Sequence, residues 1–192
     1  FGLLSDKSLL VHGLYLSEKE VELLNARRGF LAHNPRSNMN NHVGYCTNLR
    51  EVERSILGTD GCGGNMFEEL KIAFFKHKDV GGPWWPGDFV AMLSRGNEVL
   101  ETYFKDKFGR LEAGYKADIT LLDYQSPTPW VDGNAANHLV WGTSSNCVES
   151  VMVEGKFVMK ERQFDFDVEE IYAKAREVAH RVWHQVDTIK PH

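Results

Sequence analysis

Three short apolar runs, each ending in a polar residue and each followed by a helical pattern, constrain the fold of this chain more than any other feature. Residues 8–12 (Ser-Leu-Leu-Val-His), 30–33 (Phe-Leu-Ala-His) and 55–57 (Ser-Ile-Leu) are the runs. The third leads into Gly58-Thr59-Asp60-Gly61. Near-continuous apolar character over so few residues suits parallel strands covered on both faces. Between the first two runs, Ser17 and Glu20 form a capping box that opens a helix ending near Gly29. Asn34-Pro35 stops the second strand, because proline restricts its own φ and the residue before it. Strands alternating with helices build βα units, and in a (β/α)8 barrel the chemistry sits at the strands' C-terminal ends. His12, His33 and Asp60 fall there. Three strands cannot close such a barrel.

The rest of the chain reads more plainly. Arg36 to Tyr45 is a polar, Asn-rich loop, and Leu49 to Glu53 a short helix. Asn65 and Glu68 cap a helix to about Lys78, with Phe67, Leu70 and Phe74 on one face. After the Gly81–Gly87 loop, Asp88 is placed to cap a helix from Phe89 to about Phe104. Beyond Gly109 the texture changes to short strands, at 117–122, 147–153 and 156–160, the last two joined by a Glu154-Gly155 hairpin. Asp167 opens a terminal helix to about Gln185, with Val168, Ile171, Ala175, Val178 and Val182 at helical spacing.

Composition narrows the function classes. A net charge of -5, with basic residues scattered among acids, argues against a nucleic-acid partner or an anionic membrane. The apolar runs are too short to span a bilayer. Cys46, Cys62 and Cys147 are odd in number and lack CxxC spacing, which points to a reducing, cytoplasmic compartment. Phe1-Gly2-Leu3-Leu4 has neither the basic start nor the apolar core of a signal peptide, and without Met it reads as an internal start.

Each candidate residue has a chemical and a structural reading. A carboxylate such as Asp60, in a Gly-rich turn after a strand, can ligate a divalent metal and take a proton from activated water; it can equally cap the turn. His12 and His33 can ligate metal or move protons, and strand-end histidines also serve as hydrogen-bonded structural residues. Cys62 has no identifiable base and reads as a small buried residue. Gly58–Gly64 matches neither GxGxxG nor a P-loop. Trp84, Trp85 and Trp141 suit packing, while His180 and His184, four apart on the terminal helix, suit a solvated face.

Taken together, Val11-His12-Gly13, His33-Asn34-Pro35-Arg36-Ser37-Asn38 and Leu57-Gly58-Thr59-Asp60-Gly61 resemble, in order and spacing, the amidohydrolase superfamily. The branch is that of the guanine, cytosine and adenosine-type deaminases and the triazine chlorohydrolases. Gly109–Asp118 and Val151–Lys156 resemble that family's return into its small β-sandwich and its penultimate hairpin. Phe74-Phe75-Lys76-His77, Gly81-Gly82-Pro83, Ser126-Pro127-Thr128-Pro129 and Arg162-Gln163-Phe164 are most similar to the SsnA-type aminohydrolases of the branch.

The resemblance implies an α/β chain made of three parts. Residues 1–108 would be the last βα units of an incomplete (β/α)8 barrel with the helices that follow. Residues 109–165 would be a small β-sandwich segment, and 166–192 a C-terminal helix and tail. It implies a metal-dependent hydrolase of non-peptide C–N bonds that uses metal-activated water. Asp60 would bind the metal and accept a proton. His12 would be catalytic and touch substrate, while His33, Asn34, Ser37 and Asn38 would shape the substrate pocket. The implied cofactor is zinc or iron in the full-length parent. The implied partners are a heterocyclic amine or amidine-like small molecule and further copies of the chain. The family's HxH pair on strand one, and its His on strand five with a nearby Glu, have no counterpart here, so 192 residues alone should bind metal weakly and not turn over. The rival readings are a non-catalytic assembly module and a small-molecule-binding domain.

Overall fold

The computed structural model describes residues 2–189. Phe1 and the end of the tail, residues 190–192, lie outside them. Two three-stranded sheets organise the chain. The first is parallel, in the order β1 (Leu9–Val11), β2 (Phe30–His33), β3 (Ser55–Leu57). Register pairs Leu10 with Leu31 and Ala32 with Ile56. Helix α1 (Glu18–Ala26) crosses from β1 to β2, and its capping box is formed as the sequence predicts, with the Ser17 N–H donating to Glu20 at 2.8 Å.

Side chains alternate across a strand, and this sheet uses both faces. Leu10, Leu31 and Leu57 pack into the helical layer with Val21 and Leu24 of α1, Leu70, Ala73 and Phe74 of α3 (Met66–Asp79), and Phe89 and Met92 of α4 (Pro86–Phe104). Phe30, Ala32 and Ile56 face the other way and are covered by Val99 of α4. On that second face Leu9 and Val11 of β1 remain 41% and 49% exposed, so the sheet is open on the β1 side. The Arg95 guanidinium ties α4 to the Ser55 carbonyl at 2.6 Å on the β3 side.

The second sheet is antiparallel and separate: β4 (Ile119–Leu122), β5 (Val148–Val153) and β6 (Lys156–Met159) in that order. Between β4 and β5 the chain forms α5 (Ala135–Asn137) and a π-turn over His138–Gly142. There the His138 ring stacks on Trp130 and bonds Tyr124 at 2.9 Å. The terminal helix α6 (Val168–Thr188), capped by Asp167, buries no residue. No helix among the described residues is long and apolar enough to cross a membrane.

Several expectations need correction. The stretch from Arg36 is not a plain loop, because α2 (Pro35–Asn40) occupies its first half, with proline at the helix start where a missing N–H costs nothing. Helix α4 begins at Pro86 with Trp85 as its cap residue, and Asp88 serves it from inside by accepting the Trp85 N–H at 2.8 Å. The helix expected over residues 49–53 is a single 3-10 turn, Leu49–Glu51. Cys62, expected to be buried, is exposed in the turn that follows Asp60.

Candidate active site

The strand ends bring His12 and Asp60 together. Both sit at positive φ, 67° and 49°, a region that non-glycine residues seldom enter. These turns swing the two side chains toward one another, placing His12 Nε2 3.6 Å from Asp60 Oδ2. Gly13, at φ 62°, completes the first turn, and it packs so tightly that a β-carbon there would lie 2.6 Å from Leu31 Cδ1.

Helix α2 orients both groups. The Ser37 hydroxyl donates to Asp60 Oδ2 at 2.6 Å, and the next residue, Asn38, presents Oδ1 to His12 Nδ1 at 2.8 Å. The other carboxylate oxygen, Oδ1, accepts the Gly61 N–H at 2.7 Å. The Ser37 hydroxyl first, then the Gly61 amide and the nearby imidazole, hold the Asp60 carboxyl below its ordinary range, so it stays ionised. Asn34 lies beneath the turn: with its amide oriented so that the nitrogen donates to the Ala32 carbonyl at 2.8 Å, its oxygen accepts the Asp60 N–H at 3.1 Å.

A cavity of about 540 Å³ opens beside this pair. Val11, Leu14, Tyr15, Leu16 and Val43 give it an apolar wall, and His12, Asn38, Asn41, Glu20 and Asp60 supply polar groups. That volume and that mix suit a small molecule.

His33 is not part of this cluster. It ends β2 on the same face as Leu31, so strand alternation sends its ring into the helical layer. There it is fully buried, set edge-on to Tyr45 at 5.3 Å, with neither ring nitrogen hydrogen-bonded to any of the described residues. Burial first, then the His77 and His12 rings, push its pKa down to about 3. Asn34, Ser37 and Asn38 are also buried, but they reach the site through their hydrogen bonds. Spacing alone revealed neither the carboxylate contact of Ser37 nor the cavity wall at Tyr15; the HNPxSN order carried the only signal for the first.

Asp60 is suited to one coordination position on a metal, being an ionised carboxylate at a cavity mouth. No group of three or more His, Cys, Asp or Glu side chains able to hold an ion occurs among the described residues. A three-ligand centre therefore needs groups from outside them.

The Amidohydrolase family model matches residues 1–158. The 5'-deoxyadenosine deaminase of Methanopyrus kandleri is 32% identical over 190 residues, covering 94% of this chain and 44% of that protein. The 5-methylthioadenosine/S-adenosylhomocysteine deaminase of Pelotomaculum thermopropionicum is 35% identical over 184 residues, covering 91% and 42%. Among solved structures, an adenosine deaminase from Xanthomonas campestris with bound zinc superposes with a TM-score of 0.81 at 26% identity, over 95% of this chain and 44% of that one. Zinc-complexed atrazine chlorohydrolase TrzN from Arthrobacter aurescens TC1 shares the fold, with a TM-score of 0.75 at 22% identity over 90% and 41%. The chain thus spans less than half the length of these relatives. On the match over residues 1–158, the chain belongs to the amidohydrolase family.

Proposed function

We propose that these residues form the C-terminal part of a metal-dependent aminohydrolase, whose last three barrel strands carry the proton-handling half of the site. The observation that carries the reading is the Asp60–His12 pair, 3.6 Å apart at a cavity mouth and oriented by consecutive residues of α2. The antiparallel sheet would belong to the family's small β-sandwich. The substrate class would be a heterocyclic amine or amidine, in keeping with the deaminases among the relatives.

Hydrolytic deamination adds water across a C–N bond and releases ammonia, so one proton must leave the water and one must reach the departing nitrogen. Asp60, held ionised by Ser37 and Gly61, accepts the first. With Nδ1–H donating to Asn38 Oδ1, His12 is left with Nε2 as the ring atom that faces Asp60 Oδ2. A proton collected by the carboxylate then has an adjacent base that can hand it to the leaving nitrogen. The metal, with Asp60 as one ligand, would polarise the substrate and lower the pKa of a water. Its remaining ligands would come from outside the described residues, and zinc or iron would fit that role.

The test compares metal content and deamination of adenine nucleosides across the 192-residue chain, the whole protein and its Asp60→Asn variant. The reading expects weak metal binding and no turnover in the chain. It expects metal and turnover in the whole protein, and loss of turnover in Asp60→Asn. An active Asp60→Asn protein, or tight stoichiometric metal in the chain alone, would sink it.

A further inference from the structure

The site just described hangs on one six-residue helix, α2, which holds Asp60 through Ser37 and His12 through Asn38. A helix so short has no rigidity of its own in water. What fixes it is a buried ion pair one residue upstream of Ser37. The Arg36 backbone N–H donates to Glu69 Oε1 at 3.1 Å, and its Nε–H donates to Glu69 Oε2 at 2.6 Å. One guanidinium arm reaches Glu68 at 2.8 Å; the other reaches the Gly63 carbonyl at 2.7 Å. The Glu69 side chain is wholly buried, and that of Arg36 is nearly so.

Stability gives a poor account of this pair. Two charges taken from water lose hydration that their attraction repays only in good geometry, and an apolar pair of similar volume would hold the helices together as well. An apolar pair cannot aim three hydrogen bonds in a fixed fork. Here the fork spans three pieces of chain: the first turn of α2, the start of α3, and the Gly-rich turn three residues beyond Asp60. It sets the rotation of α2 and the position of the Asp60 turn together, and these two quantities decide whether Ser37 meets the carboxylate and Asn38 the imidazole.

We propose that Arg36 and Glu69 are positioning residues for the reaction: by clamping α2 to α3 and to the Asp60 turn, they hold the Ser37–Asp60 and Asn38–His12 contacts in register. The proposal rests on the functional reading for its purpose, but the clamp is testable without turnover.

The experiment uses the 192-residue chain with Arg36→Lys, Glu69→Gln and, as a control that loosens the core away from α2, Leu24→Ala. Nitrogen-15 spectra at pH 8.5 report the Gly61 amide, the Ser37 amide and the His12 ring tautomer. Lysine keeps the charge but not the fork, so Arg36→Lys should shift the Gly61 and Ser37 amides and lower the Nδ1–H fraction of His12. Gly61 hydrogen exchange should speed up by about tenfold, the loss of one hydrogen bond's protection. Glu69→Gln keeps the shape and an acceptor for the Arg36 N–H, so it should move the same signals the same way by less. It also serves if Arg36→Lys does not fold. In a Ser37→Ala background, Arg36→Lys should add nothing at Gly61. Leu24→Ala should lower the unfolding midpoint while leaving all three signals in place. If Arg36→Lys and Glu69→Gln lower stability yet leave Gly61, Ser37 and His12 where they were, or if Leu24→Ala moves those signals equally, the pair is only structural. A whole protein that shows the shifts but never turns over fails the functional reading instead.

Discussion

His33 offers a quantitative test of where the strand-end histidines point. Its ring is fully buried, lacks a hydrogen-bond partner among the described residues, and titrates near 3 when folded against 6.5 when exposed. Folding therefore binds the neutral ring. Above pH 6.5 both states are neutral and the group has no effect on stability. Below it the unfolded chain takes up a proton that the folded chain refuses, so stability falls with decreasing pH down to about 3. Between pH 7.5 and 5.0 this one group should cost about 2 kcal/mol, at 1.36 kcal/mol per unit once the exposed ring is mostly protonated. His33→Leu, similar in volume, removes the titration and the two unsatisfied nitrogens. The variant should be no less stable than the wild type at pH 7.5, and should lose about 2 kcal/mol less on going to pH 5.0. Tyr45, which faces this ring, and His77, which packs against Tyr45, are unchanged in the variant, so their own titrations largely cancel in the comparison. Urea midpoints at the two pH values measure it. Equal losses in both proteins would refute the buried, neutral placement of His33.

Other perturbations follow from packing and backbone. Leu24→Ala, in the centre of the helical layer, should cost about 2–5 kcal/mol by urea unfolding. Gly13→Ala forces a β-carbon against Leu31 at a positive φ and should cost about 1–3 kcal/mol, visible in the same assay and as movement of the His12 ring signals. Ser17→Ala breaks the capping box of α1 and should cost about 0.5–2 kcal/mol, with faster hydrogen exchange confined to the first turn of that helix.

The parallel strands were legible because each is an apolar run closed by a turn residue, and α1 because its box is spelled out at Ser17 and Glu20. The meeting of His12 with Asp60 was legible only through strand-end placement; the two positive-φ turns that complete it leave no trace in residue spacing. His33 shows the limit of such placement. A strand-end side chain goes to the mouth or to the helical layer according to alternation and local turn, and His33 has no left-handed turn to redirect it. Helix α2 was hidden by its asparagines, which favour loops, although Pro35 at its first position was the available clue. Residues 135–142 escaped because so short a helix and a π-turn show no hydrophobic period; their hold comes from tertiary contacts such as Trp130 on His138. The Arg36–Glu69 pair escaped because its partners are 33 residues apart and nothing local marks them.

The open side of the first sheet selects its neighbour by direction. Strand β1 offers an unpaired backbone edge with Leu9 and Val11 uncovered beside it. If a second copy approached through a two-fold axis, as identical chains most often do, the two β1 strands would run in opposite directions. That contact would satisfy the backbone but end the parallel order, since antiparallel pairs bond in a different spacing. Only a strand running the same way as β1 can continue the curve of the sheet and bring its own C-terminal end level with His12 and Asp60. Chain polarity therefore excludes two-fold self-pairing at this edge as a way to extend the parallel sheet, whatever its affinity.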